Sequence, residues 1–330
     1  MSGKQPHVAV TGAAGYIGSR VVHDLRAEHP DWEVTALDNF YRGQVDQIKD
    51  VPVEHVDIRN RARLEEALSG ADIVMHLAAI SGVKDCDENP DLAYEVNVQG
   101  TNNVAWFCKK TGAGLIFPFS MAVIGDPQEF PITVDHPRDP MNLYGETKLL
   151  NERMIETMAE GSFPAHLFLK SNLYGAHEVD GTRVSKPTVI NIFVNRAISG
   201  QDLTIHLPGS QARNYLHVQD VSNAYIRSAE RTIEQLDAGK TGAEKFELSG
   251  VEDPSVIEVA KLVQQHATGD NKPELRMLEN PRTETLVERF DVDIDRTKAE
   301  LEWEPTYSIE DVIRNDLART IDDALEASSL

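Results

Sequence analysis

Cysteine is scarce in this chain: Cys86 and Cys108 are the two among 330 residues. Neither stands at metal-ligand spacing, so disulfides are no part of the design and no metal is expected. Long hydrophobic runs are missing too. No apolar stretch approaches the roughly 20 residues that span a bilayer. The first apolar strand begins within a few residues of Met1, leaving no room for a signal peptide, and a cytoplasmic protein is expected. Positive charge is short: 32 Lys and Arg face 54 Asp and Glu, a net charge of −22. Such a surface repels nucleic acid and anionic membranes, so neither is expected as a partner. An anionic substrate would need its own local cations. The acidity fits a salt-loving source and a merely acidic mesophilic enzyme alike. Repeats and low-complexity tracts are absent. The rest of the composition, 41% hydrophobic and 26% charged, is that of a globular protein with one large domain or two lobes.

What is present is led by residues 8–18, Val8-Ala9-Val10-Thr11-Gly12-Ala13-Ala14-Gly15-Tyr16-Ile17-Gly18. Residues 8–10 read as a buried strand and 19–26 as a helix, with the glycines at the turn between them. Glycines there permit the tight turn and let backbone approach a pyrophosphate, whose charge the helix N-terminus favours. A second strand, 33–37, ends in Asp38. An acidic residue at that place accepts hydrogen bonds from both ribose hydroxyls and repels a 2′-phosphate, which implies NAD rather than NADP.

Strands and helices then alternate. Residues 51–56, 71–77, 115–119 and 165–170 read as strands, and 61–68, 91–110 and 143–159 as helices, with Pro90 and Gly112 bounding the long one. Alternation implies parallel pairing with right-handed crossovers, hence an α/β fold of Rossmann type with a doubly wound sheet. Beyond Gly175 the rhythm becomes irregular, which suggests a smaller cap. The expected division is a dinucleotide-binding domain over 1–175, to which 215–250 returns, and a substrate-binding cap from 176–214 and 251–330.

Tyr144-Gly145-Glu146-Thr147-Lys148 sets Tyr144 and Lys148 one helical turn apart on one face. A nearby ammonium favours the phenolate, which suits a base for a sugar hydroxyl. Ser120 ends a strand, where ligands of open α/β sheets bind. Plainer readings stand beside these. A Tyr–Lys pair at this spacing is commonly a surface pair, Asn97 on a helix a cap or packing residue, and Lys84 a loop lysine. His177 and His217 lack partners at ligand spacing, so no metal role is assigned to them.

The order of these motifs resembles the extended short-chain dehydrogenase/reductase family, and within it the nucleotide-sugar epimerases and dehydratases. Thr11-Gly12-Ala13-Ala14-Gly15-Tyr16-Ile17-Gly18 is similar to T-G-x-x-G-x-I-G, and Leu37-Asp38-Asn39 to its ribose-binding L-D-N. Asp57-Ile58 resembles the pair flanking adenine, and His76-Leu77-Ala78-Ala79 the H-L-A-A run beside the cofactor. Asn97-Val98-Gln99-Gly100-Thr101 is similar to N-V-x-G-T, and Ser120, Tyr144 and Lys148 fall on the catalytic triad. The resemblance thus implies cofactor contacts at Gly12, Gly15, Tyr16, Ile17, Gly18, Asp38, Asn39, Asp57, Ile58, Leu77, Ala78, Ala79, Asn97, Tyr144 and Lys148. Asn172-Leu173-Tyr174-Gly175 resembles N-x-Y-G, and Arg213 matches the arginine that holds the diphosphate. Substrate contacts are thereby implied at Lys84, Ser120, Tyr144, Asn172 and Arg213, with Arg282 one place out of register. The closing segment carries Glu302 where the family has glycine, Ile124 stands where a tyrosine is usual, and Lys170 replaces an arginine.

The activity so implied is NAD-dependent epimerisation of a nucleoside-diphosphate sugar, at C4 of a UDP-sugar. Family dehydratases carry an Asp-Glu pair where Met121 and Ala122 stand here, and decarboxylases a glutamate in that loop. Ala78 through Lys84, with Glu88-Asn89-Pro90, looks most like the uronate 4-epimerases, which have arginine at Lys84. The alternatives are a 4,6-dehydratase, a decarboxylase, a reductase, a redox-inactive NAD-sensing scaffold and an RNA binder. Helices 91–110 and 143–159 pair across a homodimer in such proteins.

Overall fold

The computed structural model describes residues 5–43, 45–267, 272–280 and 287–327. Its first strand, β1 (His7–Thr11), is buried along its whole length. The continuous apolar run Val8–Val10 is therefore needed on both faces of a sheet. In chain order follow α1 (Tyr16–Glu28), β2 (Glu33–Asp38), β3 (Gln47–Ile48), β4 (Val51–His55), α2 (Arg61–Ala67) and β5 (Ile73–His76). Then come α3 (Val83–Glu88), α4 (Pro90–Tyr94), a π-helical segment (Glu95–Gly100), α5 (Thr101–Thr111), β6 (Gly114–Ser120), α6 (Leu143–Ala159) and β7 (Pro164–Lys170).

The second half comprises β8 (Asn172–Tyr174), β9 (His177–Val179), β10 (Thr182–Val184), α7 (Val189–Ile198), β11 (Leu203–His206), β12 (Tyr215–His217) and α8 (Val218–Asp237). It ends with β13 (Gly242–Leu248), α9 (Val256–His266), β14 (Leu275–Leu278), α10 (Asp295–Leu301) and α11 (Ile309–Ala327).

The main sheet has the order β13-β7-β6-β5-β1-β2-β4-β3, parallel throughout except for the edge pair β3–β4. β1 lies between β2 and β5, so the chain winds outward in both directions from it. At such a reversal the carboxyl ends of the strands open a crevice. β13 returns from the second half to pair with β7 along its full length, Gly242 with Pro164 through Leu248 with Lys170.

Side-chain alternation divides the interior. Ala9, Leu115, Phe117 and Leu167 face a core that includes Val104 and Ala105 of α5 and Leu149 and Ile155 of α6. Val8, Val10, Ile116 and Phe168 face the opposite core, with Val21 and Leu25 of α1 and Ala224 and Tyr225 of α8. A third cluster, away from the sheet, joins α7, α9 and α11 around Leu203 and Ile205.

Residues 91–110 are not one regular α-helix, as the sequence pattern suggests. Pro90 starts the helix and Gly112 caps it with φ 81°, but a π segment widens the middle. The widened turn faces Asn97 inward, and Asn151 Nδ2 donates to the Asn97 carbonyl (2.7 Å).

Candidate functional site

A cavity of about 1800 Å³ runs from the glycine turn, past the ends of β5, β6 and β7, to the α7 and β11 side. Pockets for a drug-sized ligand measure roughly 300–1,000 Å³, so this cavity is larger than a site for one such ligand.

At its first end Gly12 adopts φ 73°, and a Cβ there would lie 2.6 Å from Ala78 N, so only glycine permits this approach to the wall. α1 begins after Gly15 with no side-chain cap, which leaves its first-turn N–H groups for a ligand anion. Asp38 closes β2 on the same wall. Its carboxylate accepts from Phe40 N–H (2.7 Å) and Ala14 N–H (3.0 Å). Burial pushes its carboxyl above the ordinary value, and those amides pull it back. Gly12, Gly15, Tyr16, Ile17, Gly18, Asp38, Asn39, Ile58, Leu77, Ala78 and Ala79 all line the cavity. An uncapped helix N-terminus, a backbone-only turn and an acidic side chain beyond it fit a dinucleotide.

Asp57 and Asn97, expected at the cofactor, are not among the residues that line the cavity. The Asp57 carboxylate is held by Arg59 (2.7 Å) and Asn39 (3.3 Å), with the Arg59 hydrogen bond drawing it down to about 2. Asn97 is buried, and its amide holds Ile80 at both backbone atoms, N–H at 2.8 Å and C=O at 3.0 Å. Asn97 therefore fixes the loop after β5 rather than lining the cavity. Tyr16 reaches the wall, but its hydroxyl donates to the Tyr174 and Gly175 carbonyls (2.9 and 2.7 Å).

Midway along the cavity Ser120 ends β6, and its Oγ accepts from Ala122 N–H (3.2 Å). Asn142 caps α6 by accepting from Gly145 N–H (3.0 Å), which starts the helix where Tyr144 and Lys148 can face the cavity. A Cβ on Gly145 would fall 2.5 Å from the Ala122 carbonyl, so glycine lets α6 lie against the Ser120 turn. Lys148 donates to the Pro118 carbonyl (3.3 Å) and stands 5.9 Å from the Tyr144 ring centroid. The Tyr144 phenol is nevertheless not drawn down. Burial pushes it up to about 12, against a downward pull from the Ser120 hydroxyl. The same burial lowers Lys148 to about 8, so desolvation outweighs the helical-turn pairing expected from sequence.

Of the remaining substrate-side residues, Asn172 and Arg213 line the cavity; Arg213 donates to the carbonyl of the preceding residue, Ala212 (2.8 Å). Lys84 reaches the rim and pairs loosely with Glu88 (3.6 Å). Arg282 lies outside the described residues.

Three wall residues escaped assignment from sequence. Lys170 was visible only as a departure from the family pattern. Lys186 and Asp126 sit in loops without a motif, and Asp126 Oδ1 is buried with no hydrogen-bond partner among the described residues. Among those residues no group of three or more His, Cys, Asp or Glu is placed to hold a metal. No helix of the described residues is long and apolar enough to cross a membrane.

A family model described as the NAD dependent epimerase/dehydratase family matches residues 8–239. The UDP-glucose 4-epimerase of Halalkalibacterium halodurans is 30% identical over 327 residues, 93% of each chain. The UDP-N-acetyl-alpha-D-glucosaminuronate decarboxylase of Bacillus cytotoxicus is 30% identical over 278 residues, 80% of this chain and 81% of its own. The crystal structure of Thermus thermophilus UDP-glucose 4-epimerase in complex with NAD matches with a TM-score of 0.79 and 26% identity, over 95% of this chain and 98% of that one.

Proposed function

This chain belongs to the NAD-dependent epimerase/dehydratase family, and within it we propose that it inverts C4 of a UDP-sugar through a transient 4-keto sugar. NAD is its cofactor. In this reading the glycine turn holds the cofactor's diphosphate, Asp38 its ribose, and Ala78 and Ala79 the wall beside it. Bound NAD supplies an acceptor for the C4 hydrogen and returns it. Tyr144 takes the C4 hydroxyl proton, Ser120 holds that oxygen, and Lys148 favours the phenolate once charge develops. Arg213 offers a guanidinium fork to the substrate diphosphate. Residues 1–175 with 215–250 form the cofactor-binding unit, and 176–214 with 251–330 the cap over the sugar nucleotide.

One observation carries the choice of reaction. Met121 and Ala122 follow Ser120 directly, and neither can move a proton. That supports a 4-keto sugar that turns and is reduced on its other face, with no loss of water or carbon dioxide. We also propose a homodimer formed through α5 and α6, whose Trp106 and Leu150 are exposed.

The deciding experiment incubates the NAD-loaded protein with UDP-glucose, UDP-galactose and UDP-glucuronate and follows products by NMR. C4 epimers without accumulation of NADH support the reading. A 4-keto-6-deoxy sugar, or a pentose from the uronate, overturns it in favour of the dehydratase or decarboxylase branch.

A further inference from the structure

Three lysines share one corner of the cavity. Lys170 ends β7 in register beside Ser120, the last residue of β6. Lys148 reaches the Pro118 carbonyl in β6, and its ammonium stands 4.7 Å from the Phe117 ring centroid. Lys186, in the loop between β10 and α7, donates to Ser81 Oγ (2.8 Å) in the loop after β5. All three line the cavity, and among the described residues none forms an ion pair with a carboxylate. In a chain of net charge −22 that is unusual company.

The three groups also oppose one another. Burial lowers Lys170 to about 7, and the charges of Lys186 and Lys148 push it the same way. Lys186 is lowered chiefly by burial, with Asp85 pulling upward and Arg42 downward; Asp85 is itself engaged by Arg42 (2.8 Å). Crowded, partly desolvated ammoniums are unfavourable until an anion joins them. Neither diphosphate is needed there: one belongs at the glycine turn, the other beside Arg213. What must reach this corner is the sugar, because Ser120 and Tyr144 meet its C4 oxygen. In a pyranose C6 is two bonds from C4, so a group on C6 falls next to whatever flanks Ser120.

Resting on the 4-epimerase reading, we propose that the substrate is a nucleoside-diphosphate hexuronate whose C6 carboxylate is bound by Lys170 and Lys186. The arrangement also bears on the fate of the 4-keto sugar. With C4 oxidised, the carboxylate is β to a ketone, and the C5–C6 bond breaks as the carboxylate electrons leave oxygen. Ammoniums that hold the charge on the carboxylate oxygens oppose that departure, and C6 is retained.

Calorimetry of the NAD-loaded protein with UDP-glucuronate and UDP-glucose tests this without turnover. A charge-assisted pair gives the acid sugar about a tenfold to hundredfold tighter Kd. Near pH 8 its binding takes up a proton, as the carboxylate raises Lys170, and UDP-glucose takes up none. Lys170→Met and Lys186→Met each weaken the acid sugar at least tenfold more than UDP-glucose, and Lys170→Arg restores the preference. Equal affinities, or equal losses for both sugars, overturn the carboxylate site. A pentose product with the preference intact would overturn the epimerase reading and leave this site standing. Epimerised UDP-glucose with no preference for the acid would do the reverse.

Discussion

At Tyr144 burial and charge pull against each other. The side chain is desolvated, and its phenol lies near 12 against an ordinary value of 10. In the proposed mechanism it accepts a proton only when ionised, so turnover is expected to rise with pH through the neutral and alkaline range. A cation beside the ring brings that rise to lower pH. Lys148 loses its own charge near 8, so it can favour the phenolate only below that pH, and Lys148→Met should lower turnover most there and move the ascending limb of the pH–rate profile upward. Tyr144→Phe keeps the packing and removes the acceptor, so turnover falls about 10²–10⁴-fold while the thermal midpoint stays near the parent's. A profile unmoved in Lys148→Met would detach that lysine from the phenol's ionisation.

At the scale of elements, two places carry measurable energy. Glu302 ends α10 in the left-handed region, φ 47° and ψ 43°, where a side chain is strained and glycine is not. Glu302→Gly should stabilise the protein by about 1 kcal/mol in denaturant unfolding; an unchanged midpoint would show that the strain is relieved elsewhere. Asn97→Ala acts oppositely, since it strands the N–H and C=O of Ile80 inside the protein. It should cost about 2–4 kcal/mol and weaken NAD binding, as the loop behind Ala78 and Ala79 loosens. The cofactor Kd, read by fluorescence quenching, separates that effect from simple loss of stability.

These elements differ in how legible they are in the sequence. A strand buried on both faces is apolar along most of its length, so β1, β5 and β6 announce themselves through residues 8–10, 73–75 and 115–119. Gly12, Asp38, Ser120, Tyr144 and Lys148 are equally plain, because each belongs to a local strand–turn or helix-start pattern that survives out of context. The π segment is invisible, because six residues change no helical periodicity enough to notice. Asn97 is visible, but its bonds to the backbone of Ile80 are not, because they depend on how the loop after β5 packs on the π segment. Lys186 reaches the cavity only through the packing of the β10–α7 loop, which no local pattern encodes.

For the whole molecule, charge is the dominant fact. Fifty-four acidic side chains against 32 basic ones repel across a surface whose ion pairs, such as Arg59 with Asp57 and Glu95, are largely exposed. Exposed pairs contribute little, roughly 0–1 kcal/mol each, and salt weakens them. Raising KCl from 0.1 to 1 M cuts the screening length from about 10 to 3 Å and should relieve the net repulsion, so the thermal midpoint rises. A falling midpoint would mean that the ion pairs outweigh the repulsion.

The return of β13 to the sheet has a consequence for synthesis. When β7 leaves the ribosome, the strand that will cover its outer edge does not yet exist, and residues 171–241 must be made first. Through that interval the nascent sheet carries an open edge backed by Phe168, Leu167 and Leu169, the kind of edge that recruits other chains. The protein cannot finish its main sheet before it has translated β8 to β12, α7 and α8, and a chain halted before β13 is the form a chaperone would be called to hold.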